Sequence, residues 1–142
     1  MNPKSISRLA LLVALSCSAL AAHADVVVVM SARSDVAALT PAQVSQIFLA
    51  KSSALPGGGR AVAIDQAEGA AVRDAFYTKV TSRDAAQLRS YWSQLMFTGK
   101  AQRPKQVAGD AAVKREVAAT AGAIGYIDAA SVDASVKVVL RP

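Results

Sequence analysis

The sequence has 142 residues, with 16 Lys and Arg against 10 Asp and Glu and a hydrophobic content of 53%. This length builds one domain, and the modest positive balance favours anionic partners in general. It does not suggest nucleic acid, which calls for a clustered basic stripe interleaved with aromatics.

The N-terminus reads as a leader. Lys4 and Arg8 form a positive n-region, Leu9 to Leu20 an apolar h-region, and Ala22-His23-Ala24 an A-x-A cleavage site, the pattern of a secretory signal peptide. Residues 1–24 are therefore predicted to be the leader and 25–142 the mature, periplasmic domain. Cys17 lacks the leucine three positions upstream that acylation requires, since Ala14 stands there. Cleavage removes Cys17 and His23, the one cysteine and the one histidine. The remaining chain can form no disulfide, no Cys or His metal site and no imidazole-based hydrolytic triad. No later apolar run approaches the ~20 residues of a membrane span, so no stable membrane insertion is expected after cleavage. Removing Lys4 and Arg8 leaves 14 basic against 10 acidic residues.

Val26 to Met30 is a continuous apolar run rich in valine. It predicts a central strand buried on both faces, as in a parallel sheet. Thr40-Pro41-Ala42-Gln43 is a capping box with proline at the first helical position, and the short helix it opens places Val44, Ile47 and Phe48 on one face. Pro56-Gly57-Gly58-Gly59 is a turn. A phosphate-binding P-loop would need Gly-Lys-Ser or Gly-Lys-Thr opening a helix, whereas Gly59-Arg60 opens a strand over Ala61 to Asp65.

The stretch AIDQAEGAAVRDAF, Ala63 to Phe76, runs from that strand through a tight turn at Gly69 into an amphipathic helix. Such a junction aims free backbone N–H groups at one point and is a candidate anion site by geometry. In the helix, Val72, Phe76 and Val80 make the core stripe, with Arg73 and Asp74 off it. Ser82 is the expected N-cap of the next helix, which aligns Ala85, Leu88, Trp92 and Leu95. Trp92 is read as core. Phe97 to Lys105 is a mobile basic connector, Asp110 caps a helix carrying Val113 and Val117, and Gly122 ends it. Ala123 to Ile127 is a strand, Asp128 to Asp133 a turn, and Val136 to Leu140 a final strand. Four strands and about four helices argue an α/β sandwich around a small, mainly parallel sheet.

Gln46-Ile47-Phe48-Leu49-Ala50-Lys51, the Ala67-Glu68-Gly69 turn, Phe76, Tyr91-Trp92 and Gly122-Ala123-Ile124-Gly125-Tyr126-Ile127 resemble the phosphate-binding proteins of ABC transporters. More closely, Val26 to Leu140 resembles short exported phosphate ABC transporter substrate-binding proteins. The resemblance implies a single three-layer lobe of the type II periplasmic binding protein fold, no enzymatic activity, no cofactor, a small anion such as phosphate as ligand, and an ABC permease or another periplasmic protein as partner. The full-length family has two lobes, and this chain resembles the second.

The family holds phosphate with an Asp-Gly-Ser-Gly-Thr turn. Here the aspartate is matched by Glu68 and its glycine by Gly69, while Ala70, Ala71 and Val72 stand for the serine, the second glycine and the threonine. Gln66 stands where the family has an arginine, and Arg73 is the cation that remains nearby. Losing two hydroxyl donors to a charged ligand costs roughly 3 to 6 kcal/mol, or on the order of 10² to 10⁴ in affinity. Two readings of the turn stay open: a weak anion site over Glu68, Gly69, Ala70, Ala71, Val72 and Arg73, or a sharp reversal in which Ala70 and Ala71 pack the helix on the sheet. At the level of the whole chain, a binding protein stands beside a periplasmic interaction module. An enzyme would need a serine–lysine or carboxylate pair that no spacing selects.

Overall fold

The computed structural model describes residues 25–142; the leader read at 1–24 lies outside them. The elements in order are β1 (Val26–Ser31), α1 (Pro41–Phe48), β2 (Val62–Gln66), α2 (Ala71–Thr81), α3 (Ala85–Phe97), β3 (Lys105–Val107), α4 (Asp110–Ala119), β4 (Ala123–Asp128), a 3₁₀ turn (Ala129–Ser131) and β5 (Val136–Leu140). Five strands form one sheet in the order β3-β2-β4-β1-β5. β3, β2 and β4 are mutually parallel, and β1 runs antiparallel to both β4 and β5. Four of the five strands therefore point one way.

β1 is buried on both faces, as its valines demand, but it is an interior strand one in from the β5 edge, with β4 at the centre, and it is antiparallel to each neighbour. A β-branched run reports two-sided burial, which any interior strand satisfies, and carries no information on direction. The predicted connector likewise runs at its last residue into a fifth strand, β3, too short and too polar (Lys105-Gln106-Val107) to show a period. It pairs with β2 at the sheet edge.

Alternate β1 side chains feed two cores. Val26, Val28 and Met30 join Ile124, Tyr126 and the apolar faces of α1, α2 and α3. Val27 and Val29 join Ile64, Ile127, Val136 and the Val113–Val117 stripe of α4 on the opposite face. The result is three layers with the sheet in the middle. Trp92 is fully buried in the first core. There Phe76 also stacks on Tyr126, with centroids 4.0 Å apart and planes 7° from parallel, and Phe48 and Tyr77 meet this pair edge-on or tilted.

Helix starts follow local chemistry. Thr40 and Gln43 form the capping box of α1. The second box belongs to Asp84 and Gln87 at the head of α3, so Asp84 displaces Ser82 as N-cap. Ser82 instead ends α2 in the left-handed region at φ 55°. A carboxylate with glutamine three residues on satisfies two orphan N–H groups, which a serine lacking that partner does not. The α3 C-terminus closes in a Schellman turn, with Gly99 N–H bonded to Met96 O and Lys100 N–H to Leu95 O. The basic connector therefore leaves α3 in a defined direction.

Candidate functional site

β2, β3 and β4 end together at one edge of the sheet, where ligands of open α/β sheets dock. The β2–β4 ladder registers only Val62↔Ala123 and Ala63↔Ile124. Beyond it, side chains replace backbone pairing: Gln66 Nε2 donates to Tyr126 O at 3.0 Å, and Gln66 N–H reaches the Tyr126 hydroxyl at 3.0 Å. The chain then turns through Gly69, whose φ of 89° is the region only glycine enters without strain. Apart from its chain neighbours, no atom of the described residues lies within 4 Å of where its Cβ would be, so backbone conformation and not space sets the requirement.

α2 begins with Ala70 as N-cap, and no side chain caps it. Ala70 N–H is spent on Ala67 O, and Arg73 and Asp74 N–H both bond to Ala70 O. Ala71 and Val72 N–H have no acceptor among the described residues, and they are the donors this turn presents. Ala71 is exposed and Ala70 half-buried, so tight packing of the two alanines on the sheet is not what the turn achieves.

The six candidate residues come together, with one reversal. Glu68 is at the surface and pairs with Arg103 at 3.1 Å. Arg73, expected off the core stripe, is buried at 3% exposure. Its Nε lies 3.3 Å from both Asp65 oxygens and its Nη2 3.3 Å from Oδ2. The guanidinium also sits 5.0 Å over the Tyr77 ring. Burial pulls its pKa down, but the Asp65 charge and hydrogen bonds outweigh that and raise it overall. Arg73 is thus a structural cation whose charge is neutralised inside the fold. Helical spacing placed it off the apolar stripe correctly, yet spacing cannot see a carboxylate arriving from β2.

Asp65 anchors a buried polar network that sequence reading missed. Its Oδ1 accepts from Gln66 N–H at 2.9 Å and from the Tyr126 hydroxyl. Gln66 Nε2 also donates to Asp110 Oδ1 at 2.8 Å, and Asp110 Oδ2 accepts from Asp128 N–H at 3.1 Å and Ser131 Oγ at 2.6 Å. Asp110 is therefore not the cap of α4. Gly109 holds that position with no side-chain bond, and the Asp110 carboxylate ties α4 to β2 and to the end of β4. The signal available in the sequence was the pair Asp65-Gln66, two polar residues ending a strand that otherwise reads as core. The Tyr77 hydroxyl is buried and has no hydrogen-bond partner among the described residues, and burial followed by the Asp65 charge raises the Tyr77 pKa.

The solved structures most informative for this geometry are binding proteins. The chain matches a Clostridium perfringens protein solved with bound phosphate and assigned as a phosphate ABC transporter substrate-binding protein, with a TM-score of 0.66 and 25% identity over 81% of this chain. The fold is similar to one lobe of these periplasmic binding proteins. The Vibrio cholerae ABC-type phosphate transport receptor matches with a TM-score of 0.64 and 18% identity. A Planctomyces limnophilus protein described as a phosphate binder matches with a TM-score of 0.58 and 18% identity. This phosphate-binding-protein-like lobe spans only 44%, 45% and 40% of those chains respectively. Neither family models nor curated proteins match the sequence.

Proposed function

We propose that this protein is an exported, non-enzymatic binding lobe that takes phosphate or another small anion weakly at the Gly69 turn. The observation that carries the reading is the pair of unclaimed N–H groups, Ala71 and Val72, heading α2 at the C-terminal edge of the parallel strands. The fold likeness to a protein solved with phosphate supports it. Glu68, Gly69 and Ala70 shape the mouth, while Arg73 supplies the backbone of the first turn and keeps its charge for Asp65. No helix among the described residues is long and apolar enough to cross a membrane.

The site is weak for physical reasons. A helix start offers an anion about 0.3 to 2 kcal/mol, and Glu68 and Asp74 already place carboxylates at this one. A Kd near 1 mM corresponds to about 4 kcal/mol, which two charge-assisted N–H bonds of roughly 1.5 to 3 kcal/mol each can reach. Isothermal titration of the mature protein with phosphate, sulfate and small carboxylates at low salt should give saturable heat in the millimolar range. The absence of both heat and thermal shift at those concentrations would sink the reading.

A second reading is favoured by the Arg73–Asp65 pair, which closes off the charged clamp. In it, the lobe is an accessory module whose partner is an ABC permease or another periplasmic protein. A small-molecule site normally buries about 70 to 90% of its ligand, and one lobe face leaves that to a second surface. Affinity capture of the tagged mature protein from the periplasm separates the two readings: recovery as a lone monomer that still titrates with phosphate favours the first.

A further inference from the structure

Next to the Gly69 turn, and joined to it through the Glu68–Arg103 pair, a groove of about 660 Å³ opens between the end of α1, the arm carrying Arg60, and the connector from α3 to β3. Lys51, Arg60, Lys100, Arg103 and Lys105 line it, and no carboxylate does. Five of the 14 basic residues of the mature chain thus gather in one place, while all 10 acids lie elsewhere. Arg103 and Lys105 are partly neutralised from outside the groove by Glu68 and Glu116, at 3.1 and 2.9 Å. Lys51, Arg60 and Lys100 are exposed and make no ion pair among the described residues. Concentrated charge of one sign in a concave surface focuses the field and draws an oppositely charged partner.

We infer that this groove binds an acidic peptide segment of a partner protein, with glutamates or aspartates spaced among apolar residues. Three features select that occupant. The volume suits a ligand well above the size of a single inorganic anion. The cations come from three separated segments, 51, 60 and 100–105, and so meet several spaced charges better than one. Between them the floor is apolar, made by Ile47, Ala61, Ala63 and Pro104; a polyphosphate chain would leave it unused, whereas peptide side chains would cover it. The Schellman turn that fixes Lys100 also presents Phe97, 94% exposed, and Met96, 52% exposed, three and four residues earlier. They give the peptide an apolar contact beyond the groove. The inference does not rest on the small-anion reading, since it uses neither Ala71, Val72 nor the Gly69 turn.

The test is fluorescence anisotropy with a short labelled peptide alternating glutamate and leucine, titrated with the full mature protein. Lys51→Ala/Arg60→Ala/Lys100→Ala, with unchanged circular dichroism, should weaken binding by about tenfold or more. The phosphate titration at Gly69 should be unaffected by it. Lys51→Glu/Lys100→Glu should reverse the preference toward a lysine–leucine peptide, which guards against a merely destabilised triple variant. The inference is overturned if the acidic peptide does not bind, if the groove variants leave its affinity unchanged, or if inorganic polyphosphate binds while the peptide does not.

Discussion

The Arg73 guanidinium and the Asp65 carboxylate lie 3.3 Å apart with 4% and 2% of their side chains exposed. Removing one member of a buried pair strands the other and costs about 3 to 5 kcal/mol, whereas replacing both with apolar groups is often neutral. Arg73→Met should therefore lower the unfolding free energy by that amount, and Asp65→Leu/Arg73→Met should recover much of it, as measured by urea unfolding. Were Arg73 an anion ligand instead, Arg73→Met would remove phosphate binding without this stability signature. The complementary change is a gain of function. Ala70→Ser and Val72→Thr return hydroxyl donors to the helix start, each worth roughly 1.5 to 3 kcal/mol to a charged ligand. Titration calorimetry should show phosphate affinity rising about tenfold or more for each.

Among the elements, α4 packs directly onto β4. A Cβ built on Gly125 would sit 2.5 Å from Val113 Cγ1 and 3.2 Å from Val117 Cγ2. The glycine in AIGYI is thus a packing requirement, since the helix lies directly on the strand at that point. Gly125→Ala should destabilise by about 1 to 3 kcal/mol through overpacking, and Gly125→Ala/Val113→Ala should restore part of the loss in the same unfolding assay. Elements with strong local chemistry were legible before the structure. The capping box at Thr40, the stripe Val44-Ile47-Phe48 and the strand Val136–Leu140 stand where sequence placed them. β3 and the start of α3 were not legible, the first because three residues show no period and the second because Asp84 and Ser82 compete for one cap.

For the whole molecule, the three tyrosines report on the fold as a unit. Tyr77, Tyr91 and Tyr126 all have raised pKa values, with burial the first cause in each. A raised folded pKa for an acid that is neutral when protonated gives stability that is complete below the unfolded value, near 10, and is lost as pH rises past it. Unfolding midpoints should therefore be insensitive to these groups through neutral pH and fall above about pH 10. Tyrosinate absorbance of the buried Tyr77 and Tyr126 should appear together with loss of helical circular dichroism, not before it.

The sequence alone determined the α/β sandwich, its two-sided core strand, the capped start of α1 and the Gly69 turn, because each follows from local periodicity, caps and backbone freedom, whereas Gly122, expected to end α4, lies beyond its Thr120 cap. Tertiary structure alone decided strand direction, the capture of Arg73 by Asp65, the role of Asp110 as a tie between α4 and the sheet, and the gathering of Lys51, Arg60 and Lys100 around one groove. Those outcomes depend on which distant residues meet across the sheet. Charge and hydrogen bonding act through distance in space, which no spacing along the chain records.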